Sequence, residues 1–308
     1  MKNSNKSNNY LVLVFGILMG VFFILFLSNK EIQKQEIVMK NDSTNVNNFN
    51  LPKLPDTLFL FEEKIPLEIS DVKEKFDNEL MVNNYWHTQT FRFLKISNRY
   101  FPEVEPILKK YGIPDDMKYL LLAESGLRNV TSPSGAKGYW QFMKKTALEY
   151  NLEITNDVDE RYNLEKSTIA ACKYLKKAYN RFDSWILAAA AYNMGSGGLS
   201  KQIKRQKTND YFLLHLNSET ARYIYRIVAI KSIMKFAKVY GFNYEKSDLY
   251  PPFAYNIYQV DSSINNLIDF SKEINTNYKL LKKVNPWLIS GKLINPTQKK
   301  YIIKTIRE

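Results

Sequence analysis

Glu124 ends an apolar run, Leu120-Leu121-Leu122-Ala123, and is followed by Ser125 and Gly126. Gln141 lies seventeen residues further on, within a turn-rich block from Ser132 to Met143, and Tyr192-Asn193 lies sixty-eight further on. A carboxyl on a leucine-rich helix face is partly desolvated if it turns inward, and desolvation favours its neutral form. A carboxyl that keeps its proton near neutral pH is what a general acid requires. Ser, Gln, Asn and Tyr side chains can then orient a reacting group through directional hydrogen bonds without adding charge. Alone, Glu124 would read as an exposed helix-end acid. Its company changes that reading.

No second acid has a comparable setting. Asp115 and Asp116 open a helix, and Glu149, Glu153 and Asp157 lie in a polar helix-and-loop stretch. Cleavage between sugars ordinarily uses two carboxylates across the scissile bond. A one-acid site needs another group to stabilise positive charge at the anomeric carbon, and a substrate's own 2-acetamido oxygen is one source. Metal chemistry has no matching ligand cluster, because His87 and His215 are far apart in sequence. The single cysteine, Cys172, lies in a helical pattern and reads as a small buried hydrophobe. No cofactor is implied.

The elements that must position these residues are helical. Ser70 with Lys73-Glu74 marks a helix start, and Phe91–Tyr100 continues with aromatics on one side. Pro114-Asp115-Asp116 opens the helix that carries Glu124, and Gly126 closes it. Further helices are expected over 167–181, 184–193, 197–205 and 218–240, the last with Ser218 as N-cap and Gly241 as stop. Along it Tyr223, Ile227, Ile230, Met234 and Ala237 repeat at helical spacing and mark one buried face. No convincing strand appears between 70 and 245. After Pro251-Pro252 the pattern becomes strand 255–260, helix 263–274, helix 278–284 and strand 301–306, with Asn285-Pro286-Trp287 after the second helix.

Charge and hydropathy set the partners. The 308 residues carry a net +13, so an anionic partner is favoured; basic residues are spread along the chain and no nucleic-acid signature appears. Residues 251–308 hold nine Lys or Arg against four Asp or Glu. Lys2 and Lys6 precede Leu11–Leu27, seventeen residues without charge, or about 26 Å of helix. This predicts an uncleaved membrane anchor over 11–28 with its basic end, 1–10, in the cytoplasm. Residues 29–69 are rich in Asn, Lys, Glu and Ser and are expected to form a flexible tether.

Four ordered motifs resemble the goose-type lysozyme and soluble lytic transglycosylase family. They are Glu124-Ser125, the Ser-Pro-x-Gly-Ala-x-Gly-x-x-Gln block from Ser132 to Gln141, Ala191-Tyr192-Asn193, and Glu219-Thr220-Ala221-Arg222-Tyr223. The match spans roughly 85–240, and the C-terminal unit points to the membrane-bound, D-like branch of the murein transglycosylases. The resemblance implies a mainly α architecture: a lysozyme-like all-α catalytic domain over 70–245, then a small α+β unit over 251–308. It implies that Glu124 protonates the oxygen between N-acetylmuramic acid and N-acetylglucosamine, then acts as base on the muramyl 6-hydroxyl, giving a 1,6-anhydro end. Ser125 would support the helix end. Ser132 and Gln141 would contact substrate sugars, and Met143 would line the groove. Tyr192 and Tyr223 would hydrogen-bond near Glu124 or the acetamido group, with Asn193 fixing the Tyr192 segment.

Tyr139-Trp140 stands where relatives often carry Leu-Met, so its bulk is expected to reshape the groove, although Trp140 reads better as a core ring. The C-terminal unit resembles a degenerate LysM module, a glycan-binding fold, yet shows Asp261-Ser262-Ser263 where a Gly-Asp-Thr turn is common. The implied partner is the peptidoglycan glycan strand, with the enzyme held at the bacterial inner membrane and acting in the periplasm; no protein partner is indicated. Hydrolysis, as in a lysozyme, and a non-catalytic wall-binding role remain alternatives.

Overall fold

A computed structural model of the chain describes residues 51–307. The basic end, the anchor and residues 29–50 of the tether lie outside the described residues. Among the described residues no helix is long and apolar enough to cross a membrane.

The first described residues correct the tether. β1 (Phe59–Leu60) and β2 (Glu63–Lys64) form a small antiparallel hairpin. Leu58, Leu60, Phe61 and Ile65 are buried in the main core. At about 1.5–3 kcal/mol for each large apolar side chain buried, this is enough to hold the segment down. Polar contacts fix it further. Phe61 donates its backbone N–H to Asp116 Oδ2 at 2.9 Å, and Lys231 bridges Asp116 (2.6 Å) and the Phe59 carbonyl (2.8 Å). Glu63 accepts from Ser184 Oγ at 2.8 Å and from the backbone N–H groups of Trp185 and Ile186, where an acid favours a helix N-terminus. The folded part therefore begins before residue 58. Ser70 was too late a start.

The helices follow in order: α1 (Ser70–Tyr85), α2 (His87–Lys110), α3 (Met117–Ser125), α4 (Lys144–Glu149), α5 (Leu164–Phe182), α6 (Trp185–Met194), α7 (Ser196–Gln206) and α8 (Ser218–Lys235). Their starts have chemical causes. Asn163 Oδ1 caps α5 through Lys166 N (3.0 Å), and Ser184 Oγ caps α6 through Leu187 N (3.1 Å). Asn217, rather than the expected Ser218, caps α8 through Thr220 N at 2.9 Å. α8 also stops at Lys235 and reaches Gly241 through turns. It packs against α1, α2, α3 and α6, so Tyr223, Ile227 and Ile230 of its expected stripe lie in the middle of the core, while Met234 is half-buried and Ala237, though buried, falls past the end of the helix. The domain between 70 and 245 holds isolated β-bridges among its helices and no strand.

The C-terminal unit has β3 (Tyr255–Val260), α9 (Leu267–Glu273), α10 (Tyr278–Val284) and β4 (Tyr301–Ile306), with β3 and β4 antiparallel from Tyr255↔Ile306 to Val260↔Tyr301. Helix α9 begins four residues later than Ser263, because Ile264 pairs with Leu293 and Asn266 provides the cap. Asn285 is wholly buried: its amide donates to the Leu281 and Lys304 carbonyls and accepts from Lys304 N, locking the end of α10 to β4.

This unit is docked on the helical domain. Val158 joins the apolar cluster of Leu267, Leu281, Trp287, Leu288, Leu293 and Ile303. Asp157 accepts from Ser290 Oγ at 2.8 Å and Ile294 N at 3.2 Å, while Ile289 N donates to the Asp157 carbonyl. Tyr301 donates to Glu153 Oε1 at 2.8 Å, and Tyr255 donates to Glu103 Oε1 at 3.0 Å. The two parts meet along residues 153–160 and along α2, where Lys304 also pairs with Glu103 at 3.3 Å.

Candidate active site

Helix α3 carries the acid. Its leucines Leu120, Leu121 and Leu122 are buried, and Gly126 ends it in a left-handed conformation (φ 58°), its N–H bonded to the Leu122 carbonyl at 2.8 Å. Glu124 is half-buried and accepts a hydrogen bond at Oε1 from the Tyr223 hydroxyl, which arrives from α8 on a side chain only 1% exposed. Burial raises the Glu124 pKa above the usual carboxylate value. The Tyr223 bond and the Arg226 charge oppose that rise, and the nearby Glu219 carboxylate adds to it. Burial prevails. The result is an acid that favours its neutral form and still reaches solvent.

The phenols around it cannot ionise in the neutral range. Burial, then the Glu124 charge, pushes both Tyr223 and Tyr192 well above the ordinary tyrosine value. They remain hydrogen-bond donors. Tyr223 spends its proton on Glu124, whereas Tyr192 donates to the Trp140 carbonyl at 2.7 Å. Tyr192 therefore ties α6 to the 130–143 hairpin, with its ring against Tyr174, Phe142 and Trp140. Asn193 accepts from Thr220 Oγ1 at 2.7 Å and donates to Glu219 Oε1 at 3.1 Å, so it joins the end of α6 to the start of α8. Ser125 is buried, with Oγ directed at the Leu121 carbonyl (3.5 Å), inside the last turn of α3.

The hairpin residues are placed differently from one another. Gln141 has a positive φ of 50° and spends its Nε2 on the Gly138 (2.7 Å) and Val130 (3.1 Å) carbonyls. Its Oε1 is the atom left for other partners. Ser132 Oγ accepts from Ala136 N at 3.0 Å and faces Ser134, which tightens the turn. Met143 is exposed at the start of α4. The expectation that Tyr139-Trp140 reshapes the groove is corrected: the Trp140 ring is fully buried and donates to Thr168 Oγ1 at 2.8 Å, and Tyr139 packs on Tyr100. Their bulk fills the core.

Behind the hairpin lies a support that the sequence motifs did not reveal. Arg161 and Asp159, both buried, form a bidentate pair (2.9 and 2.7 Å), and Arg161 Nη1 donates to the Phe142 carbonyl at 3.3 Å. Gly138, at φ 80°, lies so close that an added Cβ would stand 1.9 Å from the Arg161 carbonyl oxygen. Arg226 was missed as well. Its signal was available, since it follows Tyr223 by three residues and so shares its helix face.

The geometry thus joins Tyr223 to Glu124 directly and brings Tyr192, Arg226 and Glu219 within electrostatic reach of it. Asn193 ties Glu219 to α6, Ser125 lies inside the turn that carries the acid, and Gln141 closes the hairpin beside the Trp140 carbonyl that Tyr192 holds. Residues 105–214 match the transglycosylase SLT domain. The chain carries a transglycosylase SLT domain. Residues 256–305, beyond it, match the soluble lytic transglycosylase C-terminal LysM-like domain. The chain is 31% identical over 183 residues to the membrane-bound lytic murein transglycosylase D of Escherichia coli (strain K12), covering 58% of this chain and 40% of that protein. It is 27% identical over 126 residues to the membrane-bound lytic murein transglycosylase F of Cronobacter sakazakii, covering 37% of this chain and 23% of that protein. The aligned part thus spans well under half the length of these relatives. Within the SLT domain lie Glu124, the hairpin and α6; Tyr223 and Arg226 lie just past the matched residues.

Proposed function

We propose that the chain is a peptidoglycan lytic transglycosylase with Glu124 as its one acid and base. The observation that carries this reading is a carboxyl held toward its neutral form by burial and braced by a buried phenol. The names of the two relatives above support the same substrate. Protonated Glu124 gives its proton to the β-1,4 oxygen as the bond from the muramyl C1 breaks. The carboxylate then takes the proton of the muramyl 6-hydroxyl as O6 bonds to C1, so the 1,6-anhydro end forms without water and the acid is regenerated. Tyr223 steadies the carboxylate stage. Gln141 Oε1 and the Ser132 hydroxyl would orient the acetamido and hydroxyl groups of the bound sugars, and Met143 would edge the groove. The anchor expected over 11–28 would hold this domain in the periplasm at the inner membrane.

The test is mass spectrometry of the muropeptides that the full chain releases from purified sacculi, beside Glu124→Gln. Products lighter by one water, about 18 Da, and absent with the variant are the expected result. One observation favours a second reading, hydrolysis. Glu219 is exposed and close enough for its charge to raise the Glu124 pKa, so it could activate a water. Reducing-end products lost in Glu219→Gln would establish that reading instead. Sacculi bound but uncut by the native chain would mark a wall-binding protein.

A further inference from the structure

Two guanidinium groups flank the turn that follows the acid, and neither forms an ion pair with a carboxylate among the described residues. Arg92, on α2, approaches Gly126 so closely that a Cβ there would lie 2.9 Å from its Nη2. Its Nη2 donates to Gln89 Oε1 at 2.5 Å and its plane stands 5.9 Å from the Phe93 ring, but its Nε is buried without a hydrogen-bond partner. Arg128, two residues past Gly126, is exposed and uses its Nε on the Ser125 carbonyl at 3.4 Å, leaving its two terminal nitrogens to solvent. The pair repel each other: burial first, then the Arg128 charge, lowers the Arg92 pKa. A buried donor left unsatisfied destabilises the fold, and two like charges side by side add to that cost. Attraction to the negative end of α3 explains one cation there, and Arg128 already contacts the Ser125 carbonyl. It does not explain a second cation with an orphaned buried donor.

We propose that Arg92 and Arg128 form an anion subsite beside Glu124 that takes a carboxylate of the peptide stem borne by the glycan strand. An arginine fork matches a carboxylate in two hydrogen bonds, and an anion between the two would relieve their repulsion. The chain would then favour peptide-bearing strands over stripped ones. This proposal rests on the peptidoglycan reading of the same site and deepens it to a substrate class.

Its test is built to fail separately from that reading. The full chain carrying Glu124→Gln is titrated with soluble glycan strands that either retain their stem peptides or have been stripped by an amidase. Tighter binding of peptide-bearing strands is expected. Arg128→Gln, an exposed change that leaves the fold intact, should weaken that binding about tenfold and flatten its salt dependence, with stripped strands unaffected. Adding Arg92→Gln should erase the preference, whereas Arg92→Lys should restore part of it. In the cleaving enzyme the same variants should raise KM for peptide-bearing strands and leave kcat in place. Equal affinity for both strands in the parent, or equal loss on both in Arg128→Gln, overturns the subsite. If the native chain cuts neither strand but the binding preference is present and lost as described, the subsite stands and the cleavage reading falls.

Discussion

Gly138→Ala should separate the fold from the work of the hairpin. The native residue sits at φ 80°, and a Cβ there would be 1.9 Å from the Arg161 carbonyl oxygen and 2.5 Å from its carbon. Ordinary contact begins at 3.4 Å, so the hairpin and the 159–162 segment must part by about 1.5 Å. Arg161 cannot yield easily, being buried and held on both oxygens of Asp159. The left-handed backbone costs an alanine about 1–2 kcal/mol, and the overpacking adds about 1–3 kcal/mol. A total of about 2–5 kcal/mol lowers Tm by roughly 5–15 °C in a domain of this size. The larger effect is on cleavage. Gln141 stands three residues on, and a displacement of about 1 Å in a positioning group can cost about 100-fold in rate. Gly135→Ala is the control, because it shares a positive φ (87°) but meets nothing within 4 Å. It should cost only the backbone strain, a few degrees of Tm, with little loss of rate. The assays are thermal unfolding and muropeptide release from sacculi at a temperature where both variants are folded. If the two variants behave alike, the close approach at Arg161 does not position the site.

Tyr223→Phe removes the bond that lowers the Glu124 pKa, so that pKa rises further and the acid stays protonated to higher pH. The alkaline limb of the pH-rate profile should therefore move upward, with a lower maximal rate; a limb that moves down would contradict the assignment. Because the native Glu124 pKa is raised, its contribution to stability is fully present below the unfolded-chain value and lost as pH rises through the native one. Glu124→Gln should thus gain stability relative to the native chain at alkaline pH and not at acid pH, as read by chemical denaturation. Asp157→Ala should cost about 3 kcal/mol, since two hydrogen bonds to one buried carboxylate are lost, and denaturant unfolding would show it. Cys172 is buried and its thiol is pushed up to about 12, so maleimide should label it only after unfolding.

Much of the site was legible because its residues sit on strongly periodic or strongly capped elements. Leu120–Leu122 and Gly126 bracket Glu124, and the Tyr223 stripe lies on the longest buried face of α8. The hairpin was legible as a motif but not as a geometry. Nothing in the spacing of Gln141 says that its Nε2 closes the turn on Gly138 and Val130. Trp140 was ambiguous between groove and core, since an aromatic in a loop carries no period, and its burial follows from Thr168 on a helix 28 residues away. The hairpin at 59–64 was hidden for another reason. Its strands are two residues long, and Glu63 and Phe61 act on partners 55 to 123 residues away. Such contacts leave no local pattern.

The segment from Glu153 to Arg161 connects the two ends of this architecture. On one side Asp157 and Val158 hold the LysM-like unit; on the other Arg161 holds the Phe142 carbonyl and faces Gly138. Removing 251–308 would expose Val158, strip Asp157 of its partners and free Glu153 from Tyr301. Asp159, which holds Arg161 behind the hairpin, would also lose its backbone hydrogen bond to the Trp287 carbonyl (2.9 Å), so the backing of the hairpin would be loosened. Weaker capture of sacculi by a truncated chain would therefore follow from a disturbed groove as readily as from a lost glycan-binding surface. The two causes part at the unit's outer face. Ile257, on β3, is 65% exposed and lies outside the apolar cluster around Val158. Substitutions there leave Asp157 and Val158 docked, so a loss of sacculus capture caused by them would belong to the LysM-like unit itself. A loss confined to changes at Asp157 or Ser290 would belong to the groove.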